Sequence, residues 1–264
     1  MATREELLHA YDTQLRGVAE TAGALSWDRA GPLWRAVHRH DGEQQGFVSY
    51  EGLAGYDVPR LVAATVAWFR DETDVVSFEW KTRGHDDQAA ELDDVLRAHG
   101  LVPGELETVM VGEATTLAVD VRLDDGLSVH RLDDAPDADV LLAEGSDVQR
   151  LVFGRGGDLV QRVADAAGRC EVWAALDGDR IVSVGRLEFV DGTEFAGLWG
   201  GATLEDHRGR GLYRALTAAR ARSALARGVR LLQVDCSPMS RPILERSGLL
   251  AVTTTTPYEW TRPD

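Results

Sequence analysis

The stretch Trp199-Gly-Gly-Ala-Thr-Leu-Glu-Asp-His-Arg-Gly-Arg-Gly-Leu-Tyr-Arg-Ala-Leu216 predicts a buried strand that ends in a glycine-rich turn and continues as a helix. Trp199 to Leu204 is short and apolar, which is typical of a buried strand. Gly209 and Gly211 free the backbone to turn, and apolar residues then recur at helical spacing, so we expect a helix to begin near Gly211. The first amides of a helix have no partner within the helix and carry the positive end of its dipole. An anion is therefore the natural ligand of this turn.

Arginines are concentrated in the same turn. Arg208 and Arg210 lie inside it and Arg214 follows one helical turn later, although the chain as a whole is acidic. Guanidinium groups suit bidentate binding of phosphate oxygens. A tight strand-to-helix connection without a ligand is the alternative, because two glycines one residue apart also occur in such turns. The arginines favour a phosphate site, and we call residues 208–214 the phosphate cradle.

The stretch resembles the signature of the GNAT superfamily of acyl-CoA-dependent N-acetyltransferases. That signature is Arg or Gln, two residues, Gly, one residue, and Gly or Ala, placed between a strand and a helix. Arg208, Gly211 and Tyr213 stand at these places, with a tyrosine instead of the usual small residue. A second family element, in the order strand, polar turn, helix, Gly and apolar residue, also has a counterpart. Its parts are Leu231 to Cys236, Ser237 to Ser240, Pro242 to Ser247 and Gly248-Leu249.

The resemblance extends over residues 125–264 and implies an α/β fold in which helices flank a mixed, twisted sheet. The length of 264 residues favours two domains. We expect two tandem GNAT-like domains: a degenerate one at 1–124 without a phosphate cradle, and one at 125–264 that binds acetyl-CoA. An unrelated α/β domain at 1–124 is the alternative. Three elements of the first half repeat the order of Leu231 to Thr256 without an arginine–glycine turn, namely a strand at Val75–Trp80, a helix at Asp86–His99 and a strand at Thr108–Val111.

Further elements follow from hydrophobic periodicity and from capping and turn residues. They are a helix from the capping box Thr3–Glu6 to about Gly23, strands at Leu33–Val37 and Phe47–Tyr50 around a turn at Asp41–Gln45, a helix capped by Asp57 with Pro59 in its first turn, a strand at Leu127–Leu132, helices at Asp137–Glu144 and Val148–Ala167, and a hairpin of Val172–Leu176 and Ile181–Phe189.

The composition excludes some classes of partner. The formal net charge of −16 would repel nucleic acid and anionic membranes, and it would attract cationic small molecules. Cys170 and Cys236 are too few for a disulfide framework or a cysteine-based zinc site, and the histidines lack metal-binding spacing. The longest apolar run, Leu61 to Phe69, is too short to span a membrane, and no leader opens the chain. We expect a cytoplasmic protein with reduced core thiols and no bound metal.

The resemblance implies where acetyl-CoA, the co-substrate, would bind. The pantetheine arm would lie along the end of one strand like an added strand, and the pyrophosphate would meet the amides of the phosphate cradle. Ser237 stands where the family often has a pantetheine-contacting asparagine. The cofactor-binding residues implied in this way are Gly201, Ala202, Thr203, Arg208, Gly209, Arg210, Gly211, Leu212, Tyr213, Arg214 and Ser237.

Catalytic groups are harder to assign. Family members often carry a tyrosine acid in the last helix, at the position of Leu244 here, and leucine cannot donate a proton. Tyr213, Ser237 and Ser240 are the hydroxyls expected nearby, and a packing or cofactor neighbour describes Tyr213 better than an acid does. Carboxylates at strand ends are commonly structural, yet three lie where a base is expected. These base candidates are Glu188, Glu194 and Asp235.

The sequence thus predicts an N-acetyltransferase that uses acetyl-CoA and acetylates a primary amine of a small molecule or peptide. A non-catalytic CoA-binding or regulatory module is the alternative, because the usual tyrosine is missing. An aminoacyl transferase that uses charged tRNA is a third hypothesis, and the acidity of the chain counts against it. A homodimer is left open.

Overall fold

The chain contains both helices and strands, and they form two compact units. The computed structural model describes residues 2–40, 42–86, 88–154 and 157–263. The N-terminal unit consists of Arg4–Met110, Asp235–Arg241 and Ala251–Asp264. The C-terminal unit consists of Met1–Thr3, Val111–Val234 and Pro242–Leu250. No helix within the described ranges is both long and apolar enough to cross a membrane.

Nine elements precede residue 114. They are α1 (Arg4–Gln14), β1 (Ser26–Ala30), β2 (Leu33–His40), β3 (Glu43–Tyr50), α2 (Val58–Glu72), β4 (Ser77–Lys81), α3 (Ala89–Ala98), β5 (Val102–Pro103) and β6 (Glu107–Glu113). The remaining elements are α4 (Ala114–Leu117), β7 (Leu127–Arg131), α5 (Ala138–Phe153), α6 (Leu159–Asp165), β8 (Cys170–Asp177), β9 (Arg180–Phe189), β10 (Phe195–Thr203), α7 (Leu212–Ala226), β11 (Leu231–Cys236), α8 (Arg241–Arg246), β12 (Leu250–Thr255) and β13 (Pro257–Thr261). Short 3-10 helices lie at Gly17–Thr21 and Glu205–His207.

The N-terminal unit is built on a six-stranded mixed sheet in the order β1-β2-β3-β4-β13-β5. β3 and β4 are parallel, and α2 connects them in the chain. Aromatic rings dominate the core: Phe69 of α2 stacks on Phe78 at 4.4 Å between ring centroids, and Phe78 stacks on Trp260 at 5.3 Å. The last strand, β13, is therefore part of this core.

A second, seven-stranded sheet has the order β12-β6-β11-β10-β9-β8-β7. Strands β7 to β10 form an antiparallel meander, and α7 then carries the chain to β11, which runs parallel to β10. Apolar residues of this meander and of α7 pack together, with Val172, Val184 and Leu216 among those fully buried. Both fold expectations, an α/β class and mixed sheets flanked by helices, are confirmed.

The two cysteines are free and buried, as expected. Burial raises the pKa of the Cys170 thiol to about 12, so this thiol stays protonated at neutral pH. Cys170 is therefore a core residue and not a nucleophile.

One pair of predicted helices is wrong. The sequence suggested a break between Asp137–Glu144 and Val148–Ala167, but α5 runs unbroken from Ala138 to Phe153. Gly145 and Ser146 lie within the helix and are buried. The Ser146 hydroxyl donates to the Leu142 carbonyl at 2.9 Å, and the missing side chain of Gly145 leaves room for Leu159 and Val184. The break comes later, at Gly154, whose left-handed φ of 71° caps the helix.

Smaller differences occur near the N-terminus. α1 begins at Arg4, as the capping box predicts, but ends at Gln14, and Val18 lies in a 3-10 helix and is half exposed. β1 has no predicted counterpart. Asp41, part of a predicted turn, and Asp87, part of a predicted helix, lie outside the described residues, as do residues 155 and 156.

The predicted domain division does not coincide with the compact units. A cut at 124/125 assigns the chain end to the second domain, whereas Ala251–Asp264 belongs to the N-terminal unit. The reason is β13, which pairs antiparallel with both β4 and β5. Independent folding of 1–124 and 125–264 stays a prediction.

Candidate functional site

The end of β10 is bent by a bulge at two glycines. The register between β10 and β9 shifts between Trp199 and Ala202, and Gly200 has a φ of +59°. Gln149 of α5 holds the bulge, because its side-chain amide donates to the Gly200 carbonyl at 2.8 Å. Bulges re-aim the strand that carries them and are common beside functional sites. Here the bulge sets the direction in which β10 reaches the phosphate cradle.

β10 also leaves its parallel neighbour. The ladder with β11 joins Phe195–Gly197 to Leu231–Gln233, whereas β10 continues to Thr203. A strand edge that is not taken up by a ladder can bind an extended ligand through backbone hydrogen bonds. Gly201, Ala202 and Thr203, the residues expected to meet the pantetheine arm, lie on this part of β10.

The helix that follows the cradle begins without a side-chain cap. Gly211 is the N-cap of α7 with a left-handed φ of 79°, and within the described residues no cap side chain bonds to its first turn. The corresponding helix of the N-terminal unit differs, since Asp57 caps α2 and its carboxylate accepts from the Arg60 amide at 3.0 Å. The amides of α7 are thus available to an external anion, whereas α2 carries its own.

The three cradle arginines have different surroundings. Arg208 is exposed, and its Nε donates to the Thr203 carbonyl at 3.3 Å. Arg210 is bound to Asp177 at 3.2 Å and lies 3.6 Å from Asp124. Arg214 is exposed and has neither a hydrogen bond nor an ion pair to any described residue. The side chain of Arg210 therefore fixes the turn, and the other two guanidinium groups face solvent.

His207 anchors the turn from inside. The ring is buried, with Nδ1 2.7 Å from the Asp206 carboxylate and Nε2 3.2 Å from the Asp177 carboxylate. Hydrogen bonds from Arg210 and then from His207 lower the pKa of Asp177. These contacts agree with the interpretation of His207 as a loop residue and not as a base.

Tyr213 covers the strand end. A side chain at Gly201 would place its Cβ 2.9 Å from the Tyr213 ring, so the glycine gives room to this ring. Ala202 and Thr203 are held by Ser183, whose hydroxyl lies 2.8 Å from the Ala202 carbonyl and 2.7 Å from the Thr203 hydroxyl. Leu212 is buried in the core below. The structure thus brings Gly201 and Tyr213 together, a contact that sequence spacing alone does not reveal.

α7 is fixed to the sheet by a buried arginine that the sequence did not single out. Arg220 is 1% exposed, and its guanidinium donates to the Arg186 carbonyl at 2.9 Å and to the Thr217 hydroxyl at 3.3 Å. Burial lowers the pKa of Arg220 to about 10, so it keeps its charge at neutral pH. Gly185 makes room for it, since a Cβ there would lie 2.8 Å from Nη1.

Two of the three base candidates lie in the C-terminal unit, and both are ion-paired. Glu188 at the end of β9 accepts from Arg186 at 2.8 Å. Glu194 binds Arg230 through both oxygens, at 2.7 and 3.2 Å. Glu194 precedes β10 and Thr203 ends it, so a strand length of roughly 25 Å separates them. The structure does not bring Glu194 to the cradle.

The third candidate, Asp235, belongs to the N-terminal unit. It lies 2.8 Å from the Nζ of Lys81, the only lysine of the chain, and Glu107 lies 3.0 Å from the same atom. Burial opposes the charge of Lys81, but Asp235, Glu79 and Glu107 outweigh it and raise the pKa of the lysine. Asp235 is thus one half of a buried ion pair. Ser237, in the same segment, accepts at its carbonyl from the Ser240 and Arg241 amides, both at 3.1 Å.

Leu244, which stands in the last helix where family members often carry a tyrosine, is part of the core. Leu244 of α8 is fully buried. It fills space between elements and presents no group to a ligand. The sequence expectation that this position holds no acid is therefore consistent with its surroundings.

A cavity of about 220 Å³ lies beside α7 and was not predicted. Arg214, a predicted cradle residue, lines this cavity, and Arg246 at the end of α8 is the other charged group. No spacing in the sequence connects these two arginines, because the fold and not the local pattern brings them together. The other lining residues are Thr116, Leu117, Val119, Thr217, Ser247 and Gly248.

Known proteins resemble this chain in sequence over part of its length and in fold over all of it. Residues 148–245 match the model of the acetyltransferase (GNAT) family. A GCN5-related N-acetyltransferase from Kribbella flavida has a TM-score of 0.70 at 16% identity, with 100% of this chain and 97% of that chain covered. A tandem GNAT protein from the clavulanic acid biosynthesis pathway has a TM-score of 0.64 at 15% identity, with 98% and 96% covered. A GCN5-related N-acetyltransferase from Sphaerobacter thermophilus has a TM-score of 0.61 at 16% identity, with 88% of this chain and 78% of that chain covered. No curated protein matches the sequence.

The fold is of the α/β class, and residues 148–245 match the model of a family of acetyltransferases. Over its full length the chain has the fold of GNAT proteins, including that of a tandem GNAT protein. Acyl transfer is the general activity of this family.

Proposed function

We propose that the C-terminal unit transfers an acetyl group from acetyl-CoA to a primary amine of a small molecule or peptide. The observation that carries this proposal is the uncapped first turn of α7 at Gly211, placed at the end of the bulged strand β10 within the family-matched segment. Free helix amides at this point suit a pyrophosphate. The predicted degenerate character of the N-terminal unit agrees with the capped terminus of α2.

The residues present fit acetyl-CoA. Gly209 has a φ of +77°, and a Cβ there would meet nothing within 4 Å, so the outer side of the cradle is open. Arg208 and Arg214 supply positive charge, and the backbone of residues 201–203 offers an edge to the pantetheine arm. Acetyl-CoA supplies an activated thioester. The chain then has to bind it, orient its carbonyl and leave the amine access to it.

The chemistry requires the amine nitrogen to bond to the thioester carbon while the carbon–sulfur bond breaks. The nitrogen loses a proton and the sulfur leaves as a thiolate. A thiolate is a tolerable leaving group because a thiol of the cysteine type has a pKa of about 8.5. The Tyr213 ring lies against the strand end, since a Cβ at Gly201 would be 2.9 Å from it. Its hydroxyl is the candidate to protonate the sulfur, and Glu188 is the remaining base candidate in this unit.

Charge suggests the kind of acceptor. A net charge of −16 favours a cationic amine and disfavours nucleic acid or anionic membranes as partners. We propose a cytoplasmic enzyme whose two buried cysteines stay reduced. A homodimer stays a prediction, which the molar mass in solution tests.

A non-catalytic CoA-binding or regulatory module is the second candidate. The observation in its favour is that Glu188, Glu194 and Asp235 are all ion-paired, while Leu244 is buried. Release of free thiol from acetyl-CoA in the presence of a panel of amines distinguishes the two. Binding without release for any amine of the panel would favour the module.

The cradle itself is tested by the variant Gly211→Asp. Its carboxylate would occupy the helix terminus and compete with phosphate, so calorimetry should show a loss of CoA affinity of tenfold or more, about the worth of charge-assisted hydrogen bonds. Gly228→Asp is the matched control, because Gly228 has a similar φ of +78° and open surroundings. Unchanged CoA affinity in Gly211→Asp would place the cofactor elsewhere.

A further inference from the structure

The cavity beside α7 contains two arginines that no acidic group neutralises. Arg214 and Arg246 both line it, and neither has a hydrogen bond or ion pair to the described part of the chain. None of its lining residues is acidic. Like charges that share one cavity repel each other, and an anion between them would relieve this repulsion.

A cavity with positive but no negative side chains is exceptional for this molecule. The chain has 44 acidic residues against 28 lysines and arginines, and most of its described arginines bind carboxylates or carbonyls. A larger surface depression of about 490 Å³ shows the usual pattern, with Glu144, Asp147 and Asp179 beside one arginine. The cavity at Arg214 and Arg246 is therefore a basic site on an acidic protein.

The walls of the cavity are fixed by packing. A Cβ at Gly248, which has a φ of +101°, would lie 2.3 Å from the Thr116 methyl group, so glycine allows α4 to approach the end of α8. The Thr217 hydroxyl is committed to the Tyr213 carbonyl at 2.8 Å. Leu117 and Val119 add an apolar side. A volume of about 220 Å³ equals roughly seven water molecules, enough for a phosphate group and part of the sugar that carries it.

The cavity adjoins the phosphate cradle through one residue. Arg214 lies in the first turn of α7, whose amides belong to the cradle, and its side chain lines the cavity. A ligand that binds in both places must carry two separate phosphate groups. Coenzyme A has this property, since it bears a phosphate on its ribose in addition to the pyrophosphate. Pantetheine attached to a carrier protein has neither the nucleotide nor that ribose phosphate.

We propose that Arg214 and Arg246 bind the ribose phosphate of coenzyme A. This inference rests on the proposed function. It assigns to the C-terminal unit a second anion site, separate from the helix terminus, and it makes Arg246 a residue that determines donor specificity.

Calorimetry with CoA and with 3′-dephospho-CoA tests the assignment on the full chain. The wild type should bind CoA about tenfold or more tightly than dephospho-CoA, as expected for charge-assisted contacts to one phosphate. In Arg246→Gln the affinity for CoA should fall, that for dephospho-CoA should stay, and the ratio should approach one. Arg150→Gln, which removes an exposed arginine paired with Asp147, is the charge-matched control and should keep the wild-type ratio.

The outcomes separate the two proposals. Binding of both ligands with equal affinity by the wild type would overturn the ribose-phosphate site and leave the proposed function standing. An unchanged ratio of the affinities for CoA and dephospho-CoA in Arg246→Gln would also overturn the ribose-phosphate site and leave the proposed function standing. If neither ligand binds the wild type, both proposals fail. Unchanged dephospho-CoA affinity in the variant shows that it is folded, so a lost ratio cannot be attributed to unfolding.

Discussion

Gly200 shows how much depends on one missing side chain. Its φ of +59° lies in the left-handed region, and a Cβ there would come within 2.4 Å of the Gln149 amide nitrogen and 2.5 Å of Arg186. The residue thus combines a backbone conformation that other residues rarely adopt with a close approach of two side chains. Both are needed for the bulge that aims β10 at the cradle.

We expect Gly200→Ala to lower the free energy of unfolding by about 2–3 kcal/mol, from left-handed strain and from displacement of Gln149. Gly209→Ala is the control, because Gly209 has a φ of +77° but open space around it. Its loss should be about 1–2 kcal/mol, the strain alone. Urea unfolding measures both, and equal losses would mean that the contact with Gln149 contributes nothing.

Asp177 makes the turn sensitive to acid. Its pKa in the folded protein is lowered by Arg210 and His207. A lowered pKa stabilises the fold fully above the unfolded value of about 3.9, and this contribution is lost as the pH falls through the folded value. The midpoint of thermal unfolding, measured from pH 6 to 2.5, should therefore fall more steeply in the wild type than in Asp177→Asn. Parallel curves for the two proteins would contradict the role of Asp177.

At the scale of elements, the two connecting helices α2 and α7 differ in their first turn. Asp57 supplies α2 with an anion of its own, whereas α7 begins at a bare glycine. This contrast predicts that the first turn of α7, and not that of α2, is open to an external anion. It was readable in part from the sequence, because Asp57 and Pro59 are local signals and Gly209 and Gly211 are too.

The cap of α2 can be measured. Asp57→Ala should lower the free energy of unfolding by about 1 kcal/mol through loss of the bond to the Arg60 amide. Asp137→Ala is a suitable comparison, because Asp137 stands at the N-cap of α5 without a side-chain bond there. Its loss should be smaller in urea unfolding. A larger loss for Asp137 would show that the cap geometry is not what stabilises these helices.

The sequence predicted elements well where the signal is local. The strand predicted at Trp199–Leu204, the turn and the start of α7 follow from spacing within a few residues. The structure has β10 at Phe195–Thr203 and α7 from Leu212. The bond from Gln149 to Gly200 and the pairing of Arg214 with Arg246 in one cavity depend on contacts between distant segments. Such contacts leave no periodicity in the sequence, so the cavity could not be predicted.

At the scale of the whole molecule, the chain end returns to the first sheet. β13 lies between β4 and β5, and Tyr258 and Trp260 are buried in the N-terminal core. A contiguous division at 124/125 overlooks this, because hydrophobic alternation at 257–261 predicts a strand but not its partners. A fragment 125–264 would carry an apolar strand without the neighbours it has here.

Deletion of residues 257–264 should therefore destabilise the N-terminal unit. It removes two aromatic side chains from the core and uncovers the edges of β4 and β5, a loss of about 3 kcal/mol or more. Hydrogen exchange should show lost protection of the β4 amides. Deletion of residues 263–264 alone keeps β13 and should leave that protection intact. Retained protection in the longer deletion would mean that β13 is dispensable.

The buried ion pair of Lys81 has a consequence for the chemistry of the protein itself. An amine attacks an acyl thioester only when it is neutral and accessible, and Lys81 is neither, since its carboxylate neighbours keep it charged and the fold covers it. As no other lysine exists in the chain, its side chains offer acyl donors no free amine. The acyl thioester that this protein is proposed to bind therefore cannot readily acylate the lysine of the protein itself.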